Sequence, residues 1–223
     1  RGVLLEVEGS KYLLQTPEAA EWSAEYQQHS QSLRSDTAWL SDQRDQLLRK
    51  VFEGIEAKLK PRQGESMVTR RVRLSYGNEQ PTVAEGEIPV WIRDGWSVTE
   101  RSVKDDALSA GTESETVFVF VPKAMSDDLQ QAMVQAEAAK RTIDLRPVPT
   151  TDDGKHARSG LITRREDGRE RASRLAAQII GAARVLQAGG NEISEDDLEK
   201  SLARAVDNAV LRLYLEFDRA DDK

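Results

Sequence analysis

The chain has 223 residues, with 32 Lys and Arg against 39 Asp and Glu, for a formal net charge of −7. Cysteine is absent and the two histidines, His29 and His156, are far apart, which excludes disulfides, thiolate chemistry and a His-rich zinc or iron site. Hydrophobic residues make up 38% and charged residues 32%; this suits helices with broad solvated faces, and the net negative charge works against nonspecific binding to phosphate backbones.

Val3, Leu5 and Val7 alternate with Leu4 and Glu6, Glu8-Gly9-Ser10 supplies a turn, and Tyr12 and Leu14 continue the return strand. This pattern predicts a β-hairpin over 3–15. Thr16-Pro17-Glu18 then starts a helix: Thr16 caps it, Pro17 suits its first position, and Glu18 faces the positive end of its dipole. That helix runs to about Arg34. Leu40, Leu47, Val51 and Ile55 space a second one over about 36–59, broken by Lys60-Pro61-Arg62-Gln63-Gly64.

The period changes in the middle third. Val68, Val72, Leu74 and Tyr76 alternate with Thr69, Arg71, Arg73 and Ser75, a half-buried strand that ends at Gly77-Asn78. A second strand covers 88–93, where Pro89 points to a sheet edge or a strand start. Ser97 and Glu100 form a capping box for a short helix ending at Gly111. Thr116-Val117-Phe118-Val119-Phe120-Val121 is apolar on both faces and predicts a central strand, stopped by Pro122. Ser126-Asp127-Asp128 caps a further helix through Lys140.

The last third is helical. Pro149 and the pair Thr150 and Asp153 mark the start of one long helix, or two with a break near Gly168, running to Ala188 and stopped by Gly189-Gly190-Asn191. Ser194 and Asp197 form another capping box, after which Leu198, Leu202, Ala205, Ala209, Leu213 and Phe217 trace an apolar stripe. The tail, 218–223, is polar. The expected class is α+β: a small mixed sheet unit flanked by long helices packed as a bundle or stalk. The expected divisions are a hairpin at 1–15, a helical hairpin at 16–60, a small α/β unit at 61–148 and C-terminal helices at 149–223. No apolar run approaches the ~20 residues that cross a bilayer, and the opening lacks the order of an export signal, so the expected location is cytoplasmic. The missing initiator Met points to a segment of a longer protein.

Catalytic motifs are missing. Gly154-Lys155 is the one Gly-Lys pair, but His156 follows it and no Gly stands five residues before Gly154, so it is not a P-loop. His156 lies near Asp152 and Asp153; these acids could hold a metal for hydrolysis or simply cap a helix. Arg70, Arg71 and Arg73 could contact phosphate or form the charged outer face of a half-buried sheet. Trp91 and Trp96 flank Arg93-Asp94-Gly95 and read either as a partner hot spot or as core packing at a strand end. Arg164, Arg165 and Arg169 head the densest basic stretch, interleaved with Glu166, Asp167 and Glu170, which reads as a nucleic-acid contact or as a solvated helix laced with salt bridges. The nine candidate contacts are therefore Arg70, Arg71, Arg73, Trp91, Arg93, Trp96, Arg164, Arg165 and Arg169.

Several stretches in order carry a family resemblance. They are Leu13-Leu14-Gln15-Thr16-Pro17-Glu18, Gln63-Gly64-Glu65-Ser66, Ile88-Pro89-Val90-Trp91-Ile92-Arg93-Asp94-Gly95-Trp96, Ala110-Gly111-Thr112-Glu113-Ser114, Val117-Phe118-Val119-Phe120-Val121-Pro122, and 181–192. Together they resemble an interior region of the large P-loop ATPase of bacterial BREX phage-defence systems (BrxC/PglY type), downstream of its ATPase domain. The resemblance implies a role in phage exclusion beside a DNA methyltransferase and a phosphatase-like partner. It implies ATP and Mg for the parent protein and no cofactor in this segment, because the Walker motifs have no counterpart here. The opening hairpin also resembles the wing of a winged-helix domain.

Three expectations follow. The first is a non-catalytic interaction and coupling module that binds other BREX proteins or sibling subunits. The second is a DNA-contacting module that uses the hairpin and the arginines. The third is an independent metal-dependent hydrolase. None involves a membrane.

Overall fold

The computed structural model describes residues 3–7, 11–15, 17–63, 68–82, 84 and 86–213, with side chains for 17–61, 69–82, 84 and 86–212. In chain order the elements are β1 (Val3–Val7), β2 (Lys11–Gln15), α1 (Pro17–Ser35), α2 (Thr37–Glu56), β3 (Arg62–Gln63), β4 (Val68–Thr69), β5 (Arg71–Tyr76), β6 (Glu87–Asp94), α3 (Glu100–Ser109), β7 (Val117–Val121), α4 (Ser126–Leu145), α5 (Asp152–Gly181), β8 (Arg184–Gln187), β9 (Glu192–Ile193) and α6 (Leu198–Leu213). The turn at Glu8-Gly9-Ser10, the Thr16 cap, Gly64-Glu65-Ser66, Phe217 and the tail lie outside the described residues. The class is α+β, with helices that pack together and a small mixed sheet ordered β5-β6-β7-β8-β9. The hairpin β1-β2 pairs as expected, Val3 opposite Gln15 and Val7 opposite Lys11. Among the described residues no helix is long and apolar enough to cross a membrane.

The chain forms two compact units, each discontinuous in sequence. One comprises Arg1–Leu47 and Met125–Ala176, the other Leu48–Ala124 and Ala177–Lys223. The expected boundaries near 60 and 148 do not coincide with a change of unit.

In the first unit, α1, α4 and α5 pack together. Their core holds Trp22, Tyr26 and Leu33 from α1, Val134, Ala138, Ala139 and Ile143 from α4, and Leu161 from α5. Trp39 and Leu40 of α2 pack against it. Asp36 caps α2, its Oδ1 accepting the Trp39 N–H at 3.0 Å. Helix α4, expected to end at Lys140 within the α/β unit, runs to Leu145 and lies against α1, because its buried stripe extends from Leu129 to Ile143. Its cap is also different: Met125 stands at the N-cap with φ 48 and makes no side-chain cap bond. Asp127 and Asp128 contribute charge at the positive dipole end instead.

Helix α5 is one continuous helix through Gly168. A Cβ at Gly168 would lie 2.8 Å from the Ala136 backbone N and 2.9 Å from the Ala132 carbonyl O. The glycine thus permits a close approach of α4 rather than marking a break. Thr151, not Thr150, caps the helix, its Oγ1 accepting the Gly154 N–H at 3.1 Å.

The second unit is built on the five-stranded sheet. β5, β6 and β7 run parallel, while β7-β8 and β8-β9 pair antiparallel. β7 is central, with all five residues buried, as its two-faced apolar run predicts. The register aligns Ser75, Trp91, Phe118 and Leu186 on one face, where α3 adds Val103 and Ala107 to the core. The other face carries Leu74, Val90, Val117 and Gln187. There α6 lies against the sheet, burying Leu202, Ala205, Val206, Ala209 and Val210.

Four expectations need correction in this unit, and one open choice is decided. The strand expected over 68–76 is interrupted at Arg70: β4 pairs with β3, whereas β5 pairs with β6. Of the two readings of Pro89, the strand start holds: β6 lies between β5 and β7, and the β6-β7 ladder begins only at Val90, after the proline. The cap of α3 is Thr99, which accepts the Ser102 N–H at 3.2 Å; the Ser97 N–H instead closes a turn on Asp94. Helix α5 ends at Gly181, and 184–193 forms β8 and β9, since Val185, Leu186, Gln187 and Ala188 are all buried and no amphipathic helix buries every side. Gly189 and Gly190, with φ 89 and 82, close that hairpin. Finally, Asp197 rather than Ser194 caps α6, accepting the Lys200 N–H at 2.8 Å.

Candidate functional site

The Trp91–Trp96 stretch forms the end of β6 and the turn after it. Trp91 is 5% exposed. Its ring packs tilted on Phe118 at 5.7 Å, and its Nε1 donates to the Gly77 carbonyl at 2.9 Å. Arg93 is 6% exposed, ion-paired to Asp106 of α3, with its guanidinium 4.7 Å from the Trp91 ring centroid. Neither side chain is available to a partner. They form a packed assembly that fixes α3 on the sheet, with the Arg93 Nε buried and unpartnered. Trp96 is half-buried, its backbone N–H held by Asp94 at 2.9 Å.

The arginines of β5 have a different setting. Arg70 sits between β4 and β5, its backbone N–H donating to the Pro61 carbonyl at 3.0 Å. Arg71 and Arg73 are exposed and share one face of β5, while Val72 and Leu74 turn half-buried to the other. β5 is an edge strand whose one sheet neighbour is β6. At its end, Tyr76 packs edge-on against Phe52 of α2 at 6.4 Å, with the Arg49 guanidinium 4.8 Å from its centroid. Burial pushes the Tyr76 phenol up to about 12; Glu56 and Glu53 add to the rise and Arg49 opposes it.

The arginines of α5 serve largely within their own unit. The Arg164 guanidinium lies 5.3 Å from the Tyr26 centroid, and the two side chains line a groove of about 210 Å³ with Ala19, Ser23 and Gly160. Arg165 pairs with Glu166 at 2.6 Å, and Arg171 with Asp128 at 2.5 Å. Arg169 is exposed. Asp152 and Asp153 are exposed in the first turn of α5, where Lys155 pairs with Asp152 at 2.9 Å. His156 is exposed, and His29 lies 3.7 Å from Glu25. Among the described residues no three His, Asp or Glu side chains are grouped to hold a metal ion.

Two clusters in the first unit were not legible as motifs. Arg146 is largely buried and held by Glu21 and Glu25, each at 2.9 Å, with its guanidinium 5.0 Å from the Trp22 centroid. Burial opposes its charge, but the two carboxylates outweigh that and raise its pKa. Glu18 of α1 reaches the start of α5. Its carboxylate accepts the backbone N–H groups of Thr150 and Thr151, each at 3.2 Å, and also the Thr151 hydroxyl. These bonds, the Thr151 hydroxyl first, hold Glu18 below the usual carboxylate range. The same cluster bears on ATP. A Cβ at Gly154 would meet the Glu18 carboxylate at 2.5 Å, so the one Gly-Lys pair sits at a helix N-terminus already filled by the protein's own anion. These residues do not fit a nucleotide phosphate.

Comparison of the chain with protein-family models, with curated proteins and with solved structures finds no match.

Proposed function

We propose that this chain is a non-catalytic interaction and coupling module of a BREX-type phage-defence ATPase, joining the parent protein to other defence proteins or to sibling subunits in the cytoplasm. The observation that carries the reading is the ordered set of family-like stretches along the sequence. Their placement supports it: 88–96 falls on β6 and its following turn, 117–122 on β7, and 181–192 on the β8-β9 hairpin. These are neighbouring strands of one sheet, so the likeness falls on a folded unit. ATP and Mg belong, in this reading, to the parent's ATPase domain. Co-expression of the tagged chain with the other proteins of such a system, followed by purification, tests it. Retention of at least one of those proteins is the expected result, and its absence both for this chain and for the full parent protein refutes the reading.

A second reading, DNA contact, draws on the exposure of Arg71, Arg73 and Arg169. It requires duplex binding that weakens steeply with salt. Negligible binding at ~50 mM salt removes it.

A further inference from the structure

We infer that the outer edge of β5 is a docking site for an extended segment of a partner protein, one that adds a strand to the sheet and carries acidic side chains at alternate positions with apolar ones between. The inference rests on the assembly reading and names the chemistry of the partner. Three observations converge on this edge. First, β5 is a six-residue strand paired on one side only, by β6. Half of the N–H and C=O groups of such a strand point away from its neighbour, and no described residue takes those of Arg71–Tyr76. Second, Arg71 and Arg73 are exposed and two residues apart, hence on one face and about 7 Å apart along the strand. A strand added beside β5 places its own alternate side chains roughly 5 Å from theirs, where opposite charges attract and like charges repel. Third, Val72 and Leu74 on the opposite face are half-buried and leave apolar surface at the edge for the residues in between.

The charge selects among occupants. A second copy of β5 would set Arg71 and Arg73 against the same arginines, so self-pairing is disfavoured. The net charge of −7 repels any anion, but it repels a nucleic acid, with a phosphate at every nucleotide, more strongly than a short segment bearing a few carboxylates. Exposed charge on an edge strand also guards against aggregation. That role alone predicts no binding that depends on the backbone N–H groups of the peptide.

The experiment uses the full chain and three fluorescent octapeptides: alternating Glu-Val, alternating Lys-Val, and Glu-Val with alternate backbone nitrogens methylated. The Glu-Val peptide binds, the Lys-Val peptide does not, and methylation abolishes binding because it removes the ladder donors. Arg71→Glu with Arg73→Glu, both solvent-facing and checked for folding by circular dichroism, weakens the Glu-Val peptide by about tenfold or more and favours Lys-Val. No binding of the Glu-Val peptide, or binding indifferent to methylation or to the double substitution, overturns the inference. So does a duplex DNA probe that binds in place of the peptide and is lost in the same variant. Co-purification separates the two readings. Partners retained by the double variant as by the unaltered chain overturn the edge site and leave assembly standing, whereas no partners with the unaltered chain or its parent refutes assembly itself.

Discussion

Two glycines of α5 offer a test in which the same substitution has opposite signs. Gly160 and Gly168 both lie inside the helix, where Gly→Ala ordinarily gains about 1 kcal/mol by helix propensity. At Gly160 an added Cβ meets nothing within 4 Å, so Gly160→Ala keeps the whole gain. At Gly168 it would lie 2.8 Å from the Ala136 backbone N, 2.9 Å from the Ala132 carbonyl and 3.0 Å from the Ala136 Cβ. Two of these are main-chain atoms of α4 that cannot rotate away, so the helices must separate. Overpacking of that kind costs roughly 1–3 kcal/mol. With the upper half of that range applied and the propensity gain subtracted, Gly168→Ala loses roughly 1–2 kcal/mol. Urea unfolding followed by circular dichroism reads both. With a slope of ~2 kcal/mol/M, Gly160→Ala raises the midpoint by about 0.5 M, and Gly168→Ala lowers it by about 0.5–1 M. Equal upward shifts would refute the close α4–α5 approach. A downward shift at Gly160 would refute the claim that the site is open.

The remaining predictions concern charges and one phenol. Asp106→Asn leaves the buried Arg93 without its counter-charge; because Asp106 is itself 41% exposed, the loss is about 2 kcal/mol rather than the ~3–5 of a fully buried pair, and thermal or urea unfolding measures it. Replacing both, as Arg93→Met with Asp106→Leu, costs less than Asp106→Asn alone. For Glu18 the folded pKa is lowered, so its contribution is present above the ordinary value of ~4.3 and is lost as pH falls through the folded value. Glu18→Gln therefore flattens the acid limb of the stability–pH curve below pH ~4.5, with little change in its slope at neutral pH. In an absorbance titration at the tyrosinate band, a step near 12 belongs to Tyr76; it vanishes in Tyr76→Phe and moves down in Glu56→Gln, and a Tyr76 step near 10 would contradict the burial.

Most elements could be read from period alone, because period reports which face is buried. The five apolar residues of β7 and the Pro17 start of α1 are local facts, and so is the apolar stripe of α6. What the sequence did not disclose depends on partners distant along the chain. Val185-Leu186-Gln187 is too short to display a strand period and follows a 30-residue helix through Ala182-Ala183, so it reads as helix until β7 is placed beside it. Helix α4 follows the strand β7 directly, yet its buried stripe finds α1 rather than the sheet, and amphipathicity names a face but not its neighbour. Cap positions shifted by one to three residues for a similar reason. Ser97 and Thr99, Thr150 and Thr151, and Ser194 and Asp197 are equally capable acceptors, and backbone geometry chose between them.

The candidate site was affected in the same way. Trp91 and Arg93 stood out because large aromatics and a cation cluster there, and that cluster proved to be its own partner: ring on ring, guanidinium on ring, and Asp106 closing the charge. Arg164, Arg165 and Arg171 likewise meet groups within their own unit, Tyr26, Glu166 and Asp128. A guanidinium already held by a carboxylate or an aromatic face gains less from a phosphate, since the existing contact must first be given up. By that argument, arginine density along the chain overstates the basic surface on offer. Arg71 and Arg73 differ because they stand exposed on a strand whose backbone groups also face outward. Charge and unpaired main chain at the same edge can recognise a partner together, whereas either alone would confer only solubility or stickiness.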